Sequence, residues 1–182
     1  MTDHSHVVMR DRSGRGLSHD QPRHVLSLRV WYSRVTDWTA LAAFANLQML
    51  EVAGYDHDNL EPVGCLRHLK HLRLVHFPRV SSIAPLANLS ALEALALESL
   101  PSYDASGKHL SVESFSPLSA LPDLRQLRIF GVRASDRSLH ALSQIVSLST
   151  VHIGLGFAAS EYAALRSALP AAECHFPEGS RG

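Results

Sequence analysis

The 182-residue sequence is poor in the features that mark several common classes of protein. Its two cysteines, Cys65 and Cys174, lie far apart, which argues against a disulfide-stapled secreted domain. No apolar run approaches the roughly 18 residues of a membrane-spanning helix. The amino-terminal segment also lacks the apolar stretch of a secretory signal. The sequence therefore predicts a cytoplasmic protein with no membrane partner.

An excess of charge of one sign is also missing. Lys and Arg together number 17, and so do Asp and Glu, which gives a formal net charge of zero. Only Lys70 and Lys108 are lysines, so 17 − 2 leaves 15 arginines. A balanced chain has no overall field that would attract phosphate backbones. No nucleic-acid partner is predicted.

The common motifs of catalysis and cofactor binding are missing as well. "ASGKH" lacks the first glycine and the Ser/Thr of a phosphate-binding loop. "HLKH" lacks the glutamate of a zinc-protease helix, and no G-x-S-x-G stretch occurs. We therefore predict no catalytic residues, no cofactor and no resident metal ion, and the chain is not expected to be an enzyme.

What the sequence does contain is an apolar rhythm. In "SSIAPLANLSALEALALES", apolar residues recur at every third position from Ile83 to Leu95, and Leu97 then follows after two. In an α-helix a spacing of three would spread these side chains over roughly 240° instead of one face. A spacing of three suits 3₁₀-like turns, which rarely run this long, and the spacing of two suits a short strand. The stretch therefore indicates an irregular or helical arc that leads into a strand.

The same template fits six segments of the chain, and "HVLSLRV" supplies a further strand without its arc. The last-but-one apolar slot falls at Leu26, Leu50, Leu72, Leu95, Leu127, Val151 and Cys174. The steps between these positions are 24, 22, 23, 32, 24 and 23 residues. A nearly fixed period of this length, interrupted by one insertion, is typical of a solenoid built from stacked coils.

These units resemble the leucine-rich-repeat family over about residues 23–177. "VSSIAPLANLSALEALAL" is similar to internalin-type or phosphatase-regulator-type repeats, which carry a Pro-Leu-x-x-Leu-x-x-Leu arc. The resemblance implies an α/β solenoid with about seven parallel strands on its concave face and short helical or 3₁₀ arcs on its convex face. Outside the template we expect a polar tail or cap at residues 1–22, an insertion near 101–114 and a tail at 178–182.

One column departs from the family pattern. The family usually places Asn or Cys three residues after the second strand leucine, where the side chain bonds to the turning backbone. The corresponding residues here are Trp31, Tyr55, Phe77, Leu100, Val132 and Gly156. We predict that they stack as an apolar column and that the backbone polar groups are satisfied locally or by water.

Strand residues between the core positions point onto the concave face. Their mixture of Arg, His, Gln and Phe is typical of an interface centre, although an ordinary solvated face remains the alternative. The candidate partner-binding residues are Glu51, His71, Arg73, Glu98, Gln126, Arg128, Phe130, His152 and His175. The central column of this face is predicted to contain Ser27, Glu51, Arg73, Ala96, Arg128, His152 and His175. The insertion adds Tyr103, Asp104, Lys108 and His109 as candidates.

Taken together, the sequence predicts a monomeric, non-catalytic module that binds another protein through its concave face. A regulator, an adaptor and an immunity-like inhibitor would all share this chemistry. A different class also stays open, because His152 and His175 are expected side by side with Glu173 nearby. Such a cluster would suit a metal-dependent or enzymatic module, whereas its simpler interpretation is a pair of neutral surface histidines. An orphan structural repeat protein is the third alternative.

Overall fold

The computed structural model describes residues 5–10, 13–14, 16–100 and 107–177, and these contain ten short strands. They are β1 (His6–Met9), β2 (Ser27–Trp31), β3 (Met49–Ala53), β4 (His71–Val75), β5 (Ala94–Glu98), β6 (Leu110–Val112), β7 (Gln126–Phe130), β8 (Val132–Ala134), β9 (Thr150–Ile153) and β10 (Glu173–His175). Eight of them form one parallel sheet in the order β1-β2-β3-β4-β5-β7-β9-β10. The predicted α/β solenoid is confirmed, with one strand more than the seven expected because "HVVM" forms β1.

Short helical arcs carry the chain from the end of one strand to the start of the next. In the described part of the chain they are 3₁₀ helices at Pro22–His24, Trp38–Ala43, Ala84–Asn88, Ser116–Ala120 and His140–Gln144, and the α-helices α1 (Glu61–Gly64) and α2 (Ala159–Ala168). Pro85 and Pro117 lie in the first turn of their arcs. A proline costs no hydrogen bond there, because the first amides of a helix have no partner within it.

Consecutive tight turns explain the apolar spacing of three. In the arc that leads into β5 the amides of Leu86, Leu89 and Leu92 each donate to the carbonyl three residues earlier, over 3.0, 3.0 and 2.9 Å. A 3₁₀ turn holds three residues, so every third side chain returns to the same side. All three leucines therefore face the strands, and each is 0% exposed.

The first coil departs from the predicted register by two residues. The repeat template puts Leu26 in the first core slot, but strand pairing sets Leu28 opposite Leu50. Leu28 is 0% exposed, whereas Leu26 is 38% exposed. The prediction of a core position for Leu26 is therefore wrong.

The same shift changes which outward side chains meet. Arg29 lies opposite Glu51, and Ser27 lies one column earlier, opposite Met49. The central column of the concave face therefore begins at Arg29, and the prediction that it begins at Ser27 is wrong.

The last coil is built on an α-helix instead of tight turns. Tyr162 and Leu165 in α2, and Leu169 just after it, are 3%, 1% and 5% exposed. Counted back in threes from Cys174, the template puts Ala171 and Ala168 in core slots, and both are exposed. That prediction is wrong because an α-helix repeats at 3.6 residues, so a strict spacing of three drifts off its buried face.

The column that lacks asparagine is apolar and packed in the middle of the solenoid. Tyr55, Phe77 and Val132 are buried, Leu100 and Gly156 are half-buried, and Trp31 is 37% exposed. The predicted apolar stack therefore holds at Tyr55, Phe77 and Val132 and is looser at Leu100. It fails at Trp31, because the corrected register places this residue at the open end of β2.

Backbone hydrogen bonds satisfy the turn that an asparagine side chain would otherwise serve. The amide just after each strand donates to the last carbonyl of the next strand: Tyr32 to Ala53, Gly54 to Val75 and His76 to Glu98, each over 2.8 Å. Tyr32, Gly54 and His76 have φ values of 44°, 81° and 58°. This left-handed conformation turns the chain while its polar groups stay paired.

Ser33 occupies, in the corrected register, the position that Tyr55 holds one coil later. Its hydroxyl donates to the carbonyl of Met9 over 3.1 Å and so ties β1 to the sheet. We expect Ser33→Ala to lower the free energy of unfolding by about 1 kcal/mol and to speed amide exchange in His6–Met9. Hydrogen exchange measured by mass spectrometry checks this, with exposed Ser90→Ala as the control. Unchanged exchange in β1 would contradict the prediction.

Part of the insertion is ordered structure that belongs to the core. β6 pairs in parallel with β8, and the amide of Leu110 donates to Gly131 just beyond β7. Leu110 and Val112 are 4% and 1% exposed. β6, the described strand of the insertion, therefore lies on the rim of the solenoid at the carboxyl ends of β5 and β7.

Candidate functional site

The side chains that alternate with the core positions make up one open face, called here the concave face. Strand pairing puts Arg29, Glu51, Arg73, Ala96, Arg128, His152 and His175 in register as its central column. Met49, His71, Ala94, Gln126, Thr150 and Glu173 form the column before it, and Glu98 and Phe130 belong to the column after it. The nine strand residues proposed from the sequence all lie on this face.

A chain of ion pairs crosses the centre of the concave face. Arg29 Nε lies 3.0 Å from Glu51 Oε2, and Glu51 Oε1 lies 2.6 Å from Arg73 Nη1. Arg73 Nη2 lies 2.7 Å from Glu98 Oε2, and Glu98 Oε1 lies 3.7 Å from Arg128 Nη1. The two carboxylates are therefore shared among three guanidinium groups from β2, β4 and β7.

Arg73 is the most firmly held of the three arginines in this row of ion pairs. Its Nε also donates to Glu98 over 3.2 Å, so its guanidinium group contacts both carboxylates at once. The hydrogen bonds that Arg73 donates to Glu98 and, with a smaller effect, to Glu51 raise the pKa of Arg73 above its usual range. Glu51 and Glu98 are only 9% and 8% exposed, so the arginine side chains cover them.

A depression of about 350 Å³ opens at the middle of the concave face. Its floor includes Ala94 and Ala96, which place only methyl groups between longer side chains on both sides. His71 and Arg73 on β4 line one side, and Gln126 and Arg128 on β7 line the other. Two short residues thus create a hollow that a foreign side chain can enter.

A pair of stacked imidazole rings extends the face beyond Arg128. His152 and His175 lie in register on β9 and β10, with ring centroids 4.2 Å apart and planes inclined by 9°. Burial lowers the pKa of His152 below its usual value, and the neighbouring His175 and Arg128 lower it further. His175 Nε2 lies 3.0 Å from the exposed carboxylate of Glu173. Near neutral pH, His152 is therefore an uncharged group that can donate or accept a hydrogen bond.

The lowered pKa of His152 gives a testable pH dependence. The unfolded chain protonates this imidazole at its ordinary pKa near 6.5, whereas the folded chain protonates it only at lower pH. The folded state then binds fewer protons, so stability should fall as the pH drops below about 6.5. We expect NMR titration to place His152 below this value, and Arg128→Gln to move its pKa upward. A wild-type pKa at or above the ordinary value would contradict the prediction.

The described histidines are not arranged as a metal site. Among the residues that it describes, no group of three or more His, Cys, Asp or Glu side chains is placed to hold a metal ion. The cluster of His152, His175 and Glu173 is used in ring stacking and in the pair between His175 and Glu173. The described part of the chain also contains no helix long and apolar enough to cross a membrane.

The insertion candidates are only partly accounted for. Lys108 is exposed and His109 is half-buried beside β6, whereas Tyr103 and Asp104 lie outside the described residues. Arg29, Ala94 and Ala96 were not among the candidates predicted for this site from the sequence. Arg29 was missed because the first register was wrong, and Ala94 and Ala96 were missed because alanine carries no chemical signal of its own.

Comparisons with known proteins agree with this geometry at the level of the fold. No protein-family model matches the sequence, and no curated protein matches it either. Among solved structures, internalin C2 of Listeria monocytogenes superposes with a TM-score of 0.65 at 19% identity, over 93% of this chain and 72% of that chain.

Two further structures match over shorter shares of their own length. A leucine-rich-repeat protein of Leptospira interrogans has a TM-score of 0.56 at 15% identity, over 85% of this chain and 38% of that chain. The functional domain of InlJ from Listeria monocytogenes, which includes a cysteine ladder, has a TM-score of 0.55 at 12% identity, over 85% and 30%. At these identities the likeness shows the fold, which is that of bacterial leucine-rich-repeat proteins, as predicted.

Proposed function

We propose that this chain binds another protein through its concave face and has no catalytic activity of its own. The observation that carries the proposal is the central depression over Ala94 and Ala96, flanked by Arg73 and Arg128. Two carboxylates hold Arg73 in place, and Arg128 lies over the ring of Phe130. A hollow bordered by side chains that are restricted in this way can accept a protruding side chain at little cost in conformational entropy.

The composition of the face supports a protein partner. Arginine and aromatic residues are enriched in binding hot spots, and lysine is depleted at interface centres. Arg128 lies over the ring of Phe130, with its guanidinium carbon 5.6 Å from the centroid, and Phe130 is 39% exposed. Lys70, in contrast, lies just before β4 and is paired with Glu93 at 3.2 Å.

The remaining parts of the proposal concern the setting. We place the protein in the cytoplasm, and the free thiols of exposed Cys65 and half-buried Cys174 support a reducing compartment. We expect the chain to be a monomer until it meets its partner. The same surface would serve a protein that regulates its partner, one that inhibits its partner, or one that recruits its partner to a third protein.

The proposal is tested with two matched alanine variants. Ala96→Gln places a longer, uncharged side chain in the depression, and Ala163→Gln makes the same change on the exposed surface of α2. Both variants and the wild type are immobilised after circular dichroism has shown that they are folded. They are then used to capture proteins from an extract of the source cell.

We expect at least one protein to be retained by the wild type and by Ala163→Gln, and to be reduced at least tenfold on Ala96→Gln. Mass spectrometry with isotope-labelled reference peptides measures how much of each protein every variant retains relative to the wild type. If every retained protein binds Ala96→Gln as well as it binds the wild type, the concave face is not the binding surface.

A further inference from the structure

Arg128 is the guanidinium group of the concave face that the protein itself compensates least. Arg73 makes three hydrogen bonds to carboxylates at 2.6–3.2 Å, and Arg29 lies 3.0 Å from Glu51. The single carboxylate contact of Arg128 within the described residues is to Glu98 at 3.7 Å, which is beyond hydrogen-bond distance. Its side chain is 51% exposed.

The charge count of the ion-pair chain identifies the missing group. Arg29, Arg73 and Arg128 contribute three positive charges, and Glu51 and Glu98 contribute two negative ones, so 3 − 2 leaves one positive charge. Both carboxylates are nearly buried and already engaged. The excess charge therefore resides at Arg128, at the edge of the depression, and one carboxylate would complete the alternation of signs.

The surroundings of Arg128 suit a carboxylate that arrives on a side chain. Gln126 and Thr150 lie in register beside it, and His152 lies directly opposite on β9. All three line the depression with Arg128 and carry groups that can donate a hydrogen bond to an oxygen. The methyl groups of Ala94 and Ala96 on the floor offer contact to the methylene groups of an Asp or Glu side chain.

Phe130 limits the freedom of the Arg128 side chain. The guanidinium group lies over the exposed ring, and the ring itself covers Gly154, where an added Cβ would come within 2.9 Å of Phe130 Cδ1. Stacking on an aromatic face restricts an arginine and leaves the edge of its planar fork available for bidentate bonds. The fork is therefore partly pre-organised for an acidic group.

We propose that the partner is recognised by an Asp or Glu side chain that enters the central depression and places its carboxylate on Arg128. This inference rests on the proposed function, because it names the chemistry that the concave face takes from its protein partner. The acidic residue supplies the one negative charge that the network lacks.

The test uses random peptides displayed on phage, selected against the folded full chain. We expect the selected peptides to be enriched in Asp or Glu. The affinity of one synthetic peptide from this set is then measured by calorimetry. Arg128→Gln should weaken its binding at least tenfold. Arg29→Gln, which changes an equally exposed arginine on the same face, should weaken it less than threefold. Replacing the acidic residue of the peptide by its amide should weaken binding to the wild type at least tenfold. The same replacement should leave the affinity for Arg128→Gln almost unchanged.

The outcomes separate this inference from the proposed function. One outcome is that the Ala96→Gln variant no longer binds the selected peptides, but the peptides are not enriched in Asp or Glu or bind Arg128→Gln as tightly as the wild type. This outcome overturns the proposal of a carboxylate on Arg128 and leaves the concave face as a binding surface. If the peptides bind Ala96→Gln as tightly as the wild type, both the carboxylate proposal and the binding function of the concave face are overturned. A dimer in sedimentation that Arg128→Gln abolishes would assign the face to a second copy of this chain and overturn the inference.

Discussion

A Leu95→Asp variant is expected to lose the cooperative unfolding transition of the wild-type protein. Leu95 lies in β5 at the middle of the sheet, is 2% exposed and is in register with Leu72 and Leu127 in the flanking coils. An aspartate there would bury a charge with no partner, a change that costs more than about 4 kcal/mol. Because a domain of this size is stable by about 5–15 kcal/mol in total, several coils should unfold. Urea denaturation followed by circular dichroism measures the loss.

Leu26→Asp is the matched control, because the repeat pattern assigned both leucines to core slots and the structure buries only Leu95. At 38% exposure, the aspartate at position 26 can remain hydrated. We expect Leu26→Asp to change the free energy of unfolding by no more than about 1 kcal/mol. Equal damage from the two variants, or a wild-type transition in Leu95→Asp, would contradict the strand register.

An Arg73→Met variant is expected to destabilise the protein by about 1–3 kcal/mol. It removes the guanidinium group that links Glu51 and Glu98 and leaves two nearly buried carboxylates without their main partner. The expected loss is smaller than for a fully buried ion pair, because the Arg73 side chain is 45% exposed and water can replace part of the interaction. Urea denaturation at neutral pH is the measurement.

Two further variants make this result specific. Arg29→Met removes a more exposed member of the same network, with a single carboxylate partner, and should cost no more than about 1 kcal/mol. Adding Glu51→Gln and Glu98→Gln to Arg73→Met should restore much of the loss, because neutral amides need no counter-charge. If Arg73→Met costs no more than Arg29→Met, the ion-pair network does not hold the concave face together.

The sequence was sufficient to predict the solenoid because each coil buries the same pattern against its neighbours. The arc that leads into β5 shows why: Ile83, Leu86 and Leu89 recur at the period of a tight turn, and each is at most 1% exposed. "HVLSLRV" has alternating apolar residues at 26, 28 and 30, so two registers fit equally well. Only the parallel pairing with β3 selects Leu28 and Val30.

The residues of the concave face were predicted one by one, but their interactions were not. Arg73 lies 22 residues from Glu51 and 25 residues from Glu98 in the chain. The three side chains meet only because the coils stack in register. No local pattern in the sequence shows such a pair. The alanines of β5 carried no signal either, and they became informative only when the longer side chains of β4 and β7 were placed on both sides of them.

Hydroxyl-radical footprinting of the chain in complex with its captured partner tests the central claim most directly. On the concave face, exposed Phe130 and half-buried His152 report on the region around the depression, whereas exposed Cys65 and His140 report on the helical arcs. We predict that partner binding lowers the oxidation rates of Phe130 and His152 several-fold and leaves those of Cys65 and His140 unchanged. Protection of Cys65 and His140, with Phe130 and His152 oxidised as fast as in the free chain, would contradict a binding function of the concave face.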